Sequence, residues 1–321
     1  MYQEMELKTR VVESRGALVS VIIPCFNQAQ YLPEAVESVL AQEYSNWEII
    51  IVNDGSQDNT SDVASALARA NPDRRIRLLE QANGGLAEAR NAGIRASAGE
   101  YILPLDADDK IAPAMLEKTL SCLEADPSVA IVYTDAEYFG SVNRMEATAD
   151  FDFALLCFQN HLNYCSLFRR EVWQRAGGYN RNLVWGYEDW DFWISCAEQG
   201  FKARRIPEPL FHYRVKPQSM YTAALEHDLE LRARIVMNHP ALYDKPTQSW
   251  ARAILENALT PAIAALPEPH AILSRAQTFA EWRRRNGLTP VQLQASNHIG
   301  KSPTRFWRKC FRALRLSGNW L

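Results

Sequence analysis

Short apolar runs alternate with helical repeats over the first 135 residues of the chain. The runs are rich in valine and isoleucine and lack regular polar interruption, which is typical of strands buried on both faces of a parallel sheet. They predict strands at Leu18–Pro24, Trp47–Val52, Arg75–Glu80, Tyr101–Leu105 and Val129–Tyr133. The repeats between them predict helices around residues 35–40 and at Asp58–Ala70, Gly84–Ala98 and Ala112–Ala125. This alternation indicates βαβ units around a mostly parallel sheet.

The pattern loosens after residue 140. Further strands are predicted at Asn163–Arg169 and Lys202–Arg214. Between them, a helical stripe is formed by Trp190, Trp193, Ile194 and Ala197. From about residue 224 the pattern is helical only. We therefore predict an α/β fold with a Rossmann-like, mostly parallel central sheet flanked by helices, followed by a helical C-terminal extension.

Three regions are expected along the chain: a flexible leader at 1–17, an α/β domain at 18–224 and a helical region at 225–321. Residues 301–321 carry six basic side chains and no acidic one. In a helix, Trp307, Cys310, Phe311 and Leu314 of this tail would share one stripe. Such a segment can lie on an anionic membrane or pack its stripe on the domain, and vesicle co-sedimentation after deleting residues 302–321 distinguishes these alternatives.

Composition narrows the class of protein. With 321 residues, 47% of them hydrophobic and 23% charged, the chain can build one large globular domain with an appendage. The net charge of −3 argues against a general nucleic-acid binder. No apolar stretch approaches the roughly 18 residues of a membrane span, and the N-terminus lacks the apolar core of a secretory signal. The six cysteines form no CxxC pair, which favours free thiols in a reducing cytoplasm.

Three carboxylates, Asp106, Asp108 and Asp109, follow the predicted strand Tyr101–Leu105. In a parallel α/β sheet, ligands bind beyond the carboxyl ends of the strands. Mg²⁺ or Mn²⁺ could therefore take oxygens from Asp106 and Asp108 and complete its shell with substrate phosphates. The alternative is a polar turn in which Asp109 caps the next helix.

Two other segments carry polar groups to the same edge. Asp54 ends the second strand, where it can form a turn or accept a hydrogen bond from a nucleobase or ribose. Gly84 and Gly85 open a predicted helix, and their N–H groups could approach a phosphate. The first strand is not followed by GxGxxG, which makes a dinucleotide dehydrogenase a poor fit.

Taken in order, these blocks resemble the family 2 glycosyltransferases with the GT-A fold. The resemblance is carried by VSVIIPCFNQAQYLPEAVESVLAQ, EIIIVNDGSQDNT, NGGLAEARNAGIRASAGEYILPLDADD and, downstream, GGYNRNLVWGYEDWDFWISCAEQG. It spans most of residues 18–220. The family's usual activity is transfer of a sugar from a nucleoside diphosphate with inversion at the anomeric carbon.

The resemblance also implies roles for residues. Donor nucleotide-sugar binding is implied for Pro24, Phe26, Asn27, Asp54, Gly84, Gly85, Arg90, Asp106, Ala107 and Asp108, with Asp54 near the base and Asp108 the direct metal ligand. Asp189 would be the general base, with Glu188 orienting the acceptor or the base. At a predicted helix start, the helix dipole favours the ionised form that a base needs. Without the resemblance, both acids would be capping residues of a first turn.

Three aromatic residues near this acidic pair could stack on acceptor sugars or belong to the core: Trp185, Tyr187 and Trp190.

The chain departs from the family pattern near the last sheet strand. Many members carry a metal- or phosphate-binding His two residues after an Arg, where this chain has Lys216 after Arg214. A charged Lys cannot ligate a metal, but it can offset pyrophosphate charge directly. Arg214 and Lys216 are therefore the candidates for contact with the phosphates. His212 lies nearby, either as a further metal ligand or as a plain strand histidine. Dependence on a divalent metal is therefore expected to be weaker than is usual in the family.

The leading hypothesis is an inverting transferase that uses a nucleoside-diphosphate sugar, UDP by default, and a glycan or lipid-linked acceptor of the cell surface. We expect it in the cytoplasm or on the inner face of the membrane. A sugar-phosphate nucleotidyltransferase is the first alternative. It normally has a Gly-rich basic loop after the first strand, which the sequence CFNQ at residues 25–28 does not match. A non-catalytic nucleotide- or carbohydrate-binding protein is the second, and it would bind nucleotide without turnover.

Overall fold

The computed structural model describes residues 16–217 and 219–257, apart from the side chain of residue 221. The predicted leader up to residue 15 and the basic amphipathic tail lie outside the described residues. All described residues belong to one compact unit, Met1–Ala276.

Nine strands are described: β1 Val19–Cys25, β2 Trp47–Asp54, β3 Ile76–Gln81, β4 Tyr101–Pro104, β5 Lys110–Ile111, β6 Val129–Gly140, β7 Arg144–Glu146, β8 Leu167–Arg169 and β9 Lys202–Val215. The helices are α1 Leu32–Leu40, α2 Thr60–Ala70, α3 Leu86–Ala96, α4 Met115–Ala125, α5 Phe153–Leu156, α6 Arg170–Ala176, α7 Glu188–Glu198, α8 Met220–Glu226, α9 Asp228–Asn238 and α10 Lys245–Leu255. A short 3₁₀ turn, Pro240–Leu242, joins α9 to α10. None of these helices is both long and apolar enough to cross a membrane.

The strands form one sheet in the order β3-β2-β1-β4-β8-β6-β9-β5, with β7 paired to β6. The four strands β3, β2, β1 and β4 are parallel, as are the long neighbours β6 and β9. Antiparallel pairs arise only where the short strands β5, β7 and β8 join. The α/β fold with a mostly parallel central sheet is therefore confirmed.

Helices cover both faces of the sheet, because successive residues of a strand point to opposite sides. On one face, Val21 and Ile23 of β1 pack with α1 and α4. On the other face, Ile22 packs with α3 and with the aromatic stripe of α7, including Trp193. Leu231 of α9 belongs to this second cluster, so the helices after residue 224 contribute to the same core.

The sequence located most elements of the first half but missed the short strands β5 and β7. Asp109 is not a helix cap as the polar-turn alternative proposed: β5 follows it, and α4 begins only at Met115. The boundary predicted at residue 224 falls inside α8.

Candidate active site

The loop after β1 is tied to the loop after β2 through Asn27. Its backbone N–H donates to Ser56 Oγ over 3.0 Å, and its side-chain oxygen accepts from the Gln57 N–H over 2.7 Å. Asn27 adopts a left-handed conformation with φ 53°, which asparagine tolerates better than most residues. Pro24 is buried at the end of the strand, whereas Phe26 is 47% exposed. Phe26 is therefore free to contact a ligand at this edge.

Asp54 holds the glycine loop in place. Its carboxylate accepts from the N–H groups of Gly84 and Gly85 over 2.8 and 2.9 Å and from the Gln81 side chain over 2.7 Å. Gly85 has a φ of 82°, which disfavours any residue with a Cβ atom. Asp54 is only 3% exposed. Among the described residues, its carboxylate is bound by protein groups. Its effect on a ligand is exerted through the loop that it positions.

The acidic segment after β4 points two carboxylates toward basic side chains. Asp106 accepts a hydrogen bond from Arg90 over 2.8 Å, and Asp108 forms an ion pair with Lys216. Ala107 between them is buried. Burial raises the pKa of Asp106 to about 6, with Arg90 opposing the shift and Asp108 adding to it. The two aspartates remain partly open, at 25% and 13% side-chain exposure.

Asp109 has a different environment from its two neighbours. It is buried, and its carboxylate accepts from the Tyr164 hydroxyl over 2.5 Å and from the Arg214 N–H over 2.6 Å. Burial raises the pKa of this carboxyl well above its usual range, and the charges of Asp108 and Asp106 add to the effect. Asp109 therefore fixes the acidic turn to the end of β9.

Arg214 and Lys216 come to this turn from β9. The Arg214 Nε–H donates to the carbonyl of Asp108 over 2.8 Å, and its guanidinium lies 2.9 Å from Glu34 of α1. Both cations also lie over the ring of Tyr31, at 4.8 and 5.1 Å from its centroid. The structure thus gathers the loop after β1, the acidic turn and the end of β9.

Arg90 connects the acidic turn to the start of α7. It is 1% exposed and contacts Asp106 on one side and Glu188 on the other, the latter over 2.5 Å. Its guanidinium lies 4.8 Å from the Tyr164 ring centroid and 5.5 Å from that of Tyr179. Its charge is shared by Glu188, which is buried, and Asp106, which is partly open.

Glu188 and Asp189 are the first two residues of α7, as the sequence predicted. Glu188 is buried against Arg90, whereas Asp189 is partly buried and accepts from the Asn160 side chain over 2.8 Å. Burial raises the pKa of both carboxyls, while Arg90 opposes the shift. A raised pKa suits a general base that works near neutral pH.

The three aromatic acceptor candidates separate in the structure. Trp190 is buried in the core and donates its Nε1–H to the carbonyl of Leu156, so it is a packing residue rather than an acceptor platform. Tyr187 is partly buried and donates its hydroxyl to Asp228 over 2.6 Å. Trp185 is 45% exposed and stacks on His227 at 4.5 Å between centroids. Trp185 retains surface for a ligand.

His212 is not gathered with the two aspartates. Its ring lies 3.5 Å from Glu137, because the two residues are opposite each other in the pairing of β9 with β6. Among residues 16–217 and 219–257, no three His, Cys, Asp or Glu side chains come together as metal ligands. Asp106 and Asp108 still fit a Mg²⁺ or Mn²⁺ ion that takes its other ligands from substrate phosphates and water. Their ion pairs with Arg90 and Lys216 already offset part of their charge.

Sequence reasoning missed Tyr164, Tyr179 and Asn160; of these, only Tyr179 lies inside a motif block. Tyr164 and Tyr179 contact Arg90, and Asn160 contacts Asp189. These contacts with residues of α3 and α7 form only when the chain folds.

This fold, with acidic groups at a strand end and at a helix start, is consistent with a glycosyltransferase. The sequence profile described as "Glycosyl transferase family 2" matches residues 20–197, more than half of the chain. The chain belongs to this family.

A curated relative is also named as a glycosyltransferase. The "Uncharacterized glycosyltransferase EpsJ" of Bacillus subtilis (strain 168) is 31% identical over 233 residues, covering 66% of this chain and 67% of that protein. Other curated relatives are longer, and the chain covers only 19% to 23% of their length.

Two solved structures share the fold. TarS 1-349 of S. aureus, in complex with UDP-GlcNAc, has a TM-score of 0.57 at 16% identity and covers 84% of this chain and 92% of its own. The mannosyltransferase PcManGT from Pyrobaculum calidifontis, in complex with GDP-Man and Mn²⁺, has a TM-score of 0.54 at 21% identity and covers 93% and 80%. The GT-A fold expected from the sequence is confirmed.

Proposed function

We propose that the chain is an inverting glycosyltransferase that moves a hexosyl or N-acetylhexosaminyl group from a nucleoside-diphosphate sugar, UDP by default, to a hydroxyl of a glycan or lipid-linked acceptor in cell-surface polysaccharide biosynthesis. One observation carries this proposal. Arg90 joins Asp106, at the end of β4, to Glu188, at the start of α7. Asp106, which faces the donor side, and the start of α7, which carries the proposed base Asp189, are therefore held on one rigid frame.

The donor side is formed by groups at the carboxyl ends of the parallel strands. Phe26 and Asn27 contact the nucleotide. Asp54 positions the glycine loop beside it, because its carboxylate accepts hydrogen bonds from two N–H groups of that loop. Arg214 and Lys216 place positive charge beside the pyrophosphate. This charge is needed because a nucleoside diphosphate leaves readily only when its negative charge is offset.

A divalent ion is part of the proposal. Asp106 and Asp108 would hold Mn²⁺ or Mg²⁺, which when bound offsets the charge of the leaving diphosphate. Lys216 already pairs with Asp108, so this chain supplies part of that positive charge itself. We expect activity to fall, but not to vanish, when the ion is removed.

Asp189 is the general base of the proposed reaction. It takes the proton of the acceptor hydroxyl as the oxygen forms a bond to the anomeric carbon. The bond from that carbon to the diphosphate oxygen breaks, and its electron pair leaves with the nucleoside diphosphate. Attack opposite the leaving group inverts the anomeric carbon.

The acceptor approaches from the side of Trp185, which is exposed and lies three residues before the start of α7. A flat aromatic face suits the apolar face of a sugar ring. Peripheral binding to the inner face of the membrane through residues 301–321 would bring the protein to a membrane that carries a lipid-linked acceptor. Vesicle co-sedimentation that is unchanged after deletion of residues 302–321 would exclude the membrane part of the proposal.

A donor screen tests the proposed function. The purified protein is incubated with a panel of nucleoside-diphosphate sugars and Mn²⁺, with and without a chelator, and nucleotide release is measured. We expect slow release from one donor and a loss of about 100-fold or more in Asp189→Asn, because general-base catalysis contributes on that order. Asp62→Asn, which changes an exposed first-turn acid of α2, is the matched control and should retain activity. Absence of release from every donor, together with absence of nucleotide affinity by calorimetry, would overturn the proposal.

A further inference from the structure

Asn160 makes a direct contact with the proposed base. Its Nδ2 donates to Asp189 Oδ2 over 2.8 Å. The two residues are 29 positions apart, so the contact exists only in the folded chain. An amide that donates to a carboxylate stabilises the ionised form and restricts its rotation.

The direction of the Asn160 amide is set by a second hydrogen bond. Its Oδ1 accepts from the backbone N–H of Leu162 over 3.3 Å. Because oxygen and nitrogen occupy opposite ends of the amide, this bond turns the NH₂ group toward Asp189. The reverse orientation would put a carbonyl oxygen against a carboxylate and leave the Leu162 N–H facing a donor.

The loop that carries Asn160 is fastened to its surroundings by three carbonyl groups. The carbonyl of Leu156 accepts from Trp190 over 2.5 Å, and that of Phe158 accepts from Arg232 over 3.0 Å. The carbonyl of Cys157 accepts from the Tyr243 hydroxyl over 2.7 Å. A loop held in this way keeps its side chains in place, which is required of a group that orients a catalytic residue.

We propose that Asn160 is a positioning residue for sugar transfer: its side-chain amide holds one oxygen of the Asp189 carboxylate and turns the other toward the acceptor hydroxyl. Asn160 acts through Asp189 and does not touch the reacting atoms. The inference rests on the proposed function, since it assigns Asn160 to the base of that reaction.

Other charges near Asp189 are fixed by the fold. Glu188 is its neighbour on α7, Arg90 lies beyond Glu188, and Asp106 contacts the other side of Arg90. Arg90 favours the ionised carboxylate, whereas Asp106 and Glu188 disfavour it. Substitution of Asn160 leaves these groups unchanged, so a shift in the titration of Asp189 reports on the amide.

The first test is the pH profile of kcat/KM for turnover of the donor identified in the screen. In Asn160→Ala, we expect the acid-side midpoint to move up by about one pH unit, because one hydrogen bond to the ionised base is lost. We expect kcat to fall about tenfold or more, while the KM for the donor stays within about twofold. Asn160→Asp keeps the shape, removes the donor and adds a like charge, so its midpoint should move further.

Asn163→Ala is the matched control for this test. Asn163 lies in the same segment, but its amide donates to the carbonyl of Thr134 over 2.7 Å. Its removal should lower the melting temperature without moving the acid-side midpoint. A midpoint that is the same in wild type, Asn160→Ala and Asn160→Asp would overturn the inference, as would an equal shift in Asn163→Ala.

A measurement without turnover separates this inference from the proposed function. The pKa of the Asp189 carboxyl can be followed by NMR in protein with ¹³C-labelled aspartate, with Asp189→Asn for assignment. A higher pKa in Asn160→Ala than in wild type supports the contact, and an unchanged pKa overturns the inference even if the protein turns over a donor. If wild type turns over no donor and binds no nucleotide, the proposed function fails, whatever the NMR result.

Discussion

At the scale of single residues, the buried guanidinium of Arg90 has the largest effect on the site. It is paired with Asp106 and Glu188 and lies between the rings of Tyr164 and Tyr179. Each partner carboxylate is stabilised in its ionised form by this one cation. Loss of the cation would leave two carboxylates facing each other in a region with little water.

We predict that Arg90→Met lowers the free energy of unfolding by about 3–5 kcal/mol, the usual cost of removing one partner from a buried ion pair. Urea denaturation at neutral pH measures this change. Part of the loss should be recovered at lower pH, because protonation of Asp106 and Glu188 removes the uncompensated charge.

Arg144→Met is the control for this substitution. Arg144 pairs with Glu146, and both side chains are more than one third exposed, at 56% and 43%. An exposed pair contributes about 0–1 kcal/mol at most, so little change is expected. Equal effects of the two substitutions would contradict the central role of Arg90.

At this scale, the sequence predicted which residues form the site better than it predicted which residues contact each other. The motif placed Glu188, Asp189, Asp106 and Asp108 at the ends of elements, and the structure agrees. It could not show that Arg90 is buried between carboxylates, since its partner Glu188 is 98 positions away. Long-range pairs of this kind leave no local pattern.

At the scale of elements, α7 is held at both ends of its buried face. At its start, Glu188 contacts Arg90. Further along, Asp191 and Glu198 both contact His239, at 3.1 and 2.6 Å. His239 directly follows α9, so this ion-pair cluster fastens α7 to the C-terminal helices. Asp191, a first-turn acid of α7, therefore has a structural role.

We predict that stability falls as the pH is raised from about 6.5 to about 9. Hydrogen bonds and charges from Asp191 and Glu198 raise the pKa of His239 to about 9 against the effect of burial. An unfolded histidine titrates near pH 6.5, so the charged form stabilises the fold fully below that pH and loses its effect as the folded group deprotonates. The difference corresponds to about 3 kcal/mol.

Urea denaturation at pH 6 and pH 9 measures this dependence. His239→Gln should be less stable than wild type at pH 6 and should lose most of the difference between the two pH values. His227→Gln, which changes a histidine stacked on exposed Trp185, should retain the pH dependence. A wild-type stability that does not change over this range would contradict the assignment.

Element prediction from sequence located the long strands, though not always their ends, and missed the short ones. The strand predicted at Val129–Tyr133 extends to Gly140, and β9 matches its predicted range within one residue. The two-residue strand β5 was missed, because pairing with β9 rather than propensity keeps it extended.

At the scale of the whole molecule, the C-terminal helices are part of the core. Leu231 and Ile235 of α9 are buried with Trp193 of α7, and Ala251 of α10 packs with Val236 and Cys157. A domain that ended at residue 224 would expose these apolar surfaces.

We predict that a chain ending at residue 224 does not fold cooperatively, whereas a chain ending at residue 257 does. Burial of each large aliphatic side chain contributes about 1.5–3 kcal/mol, so loss of α9 and α10 removes an amount comparable with the total stability of a domain. Circular dichroism during urea denaturation compares the two chains. A cooperative transition in the shorter chain would place the boundary at residue 224 after all.

The sequence by itself determined the α/β class, the order of the main strands and the acidic residues at the ends of β4 and at the start of α7. These features depend on local periodicity and on residue type, which can be read along the chain. The tertiary structure alone decided that Arg90 bridges Asp106 and Glu188, that Asn160 reaches Asp189, that Trp190 is buried and that His212 lies beside Glu137. These contacts join residues far apart in sequence, and their energies depend on burial and neighbouring charge, which exist only once the chain has folded.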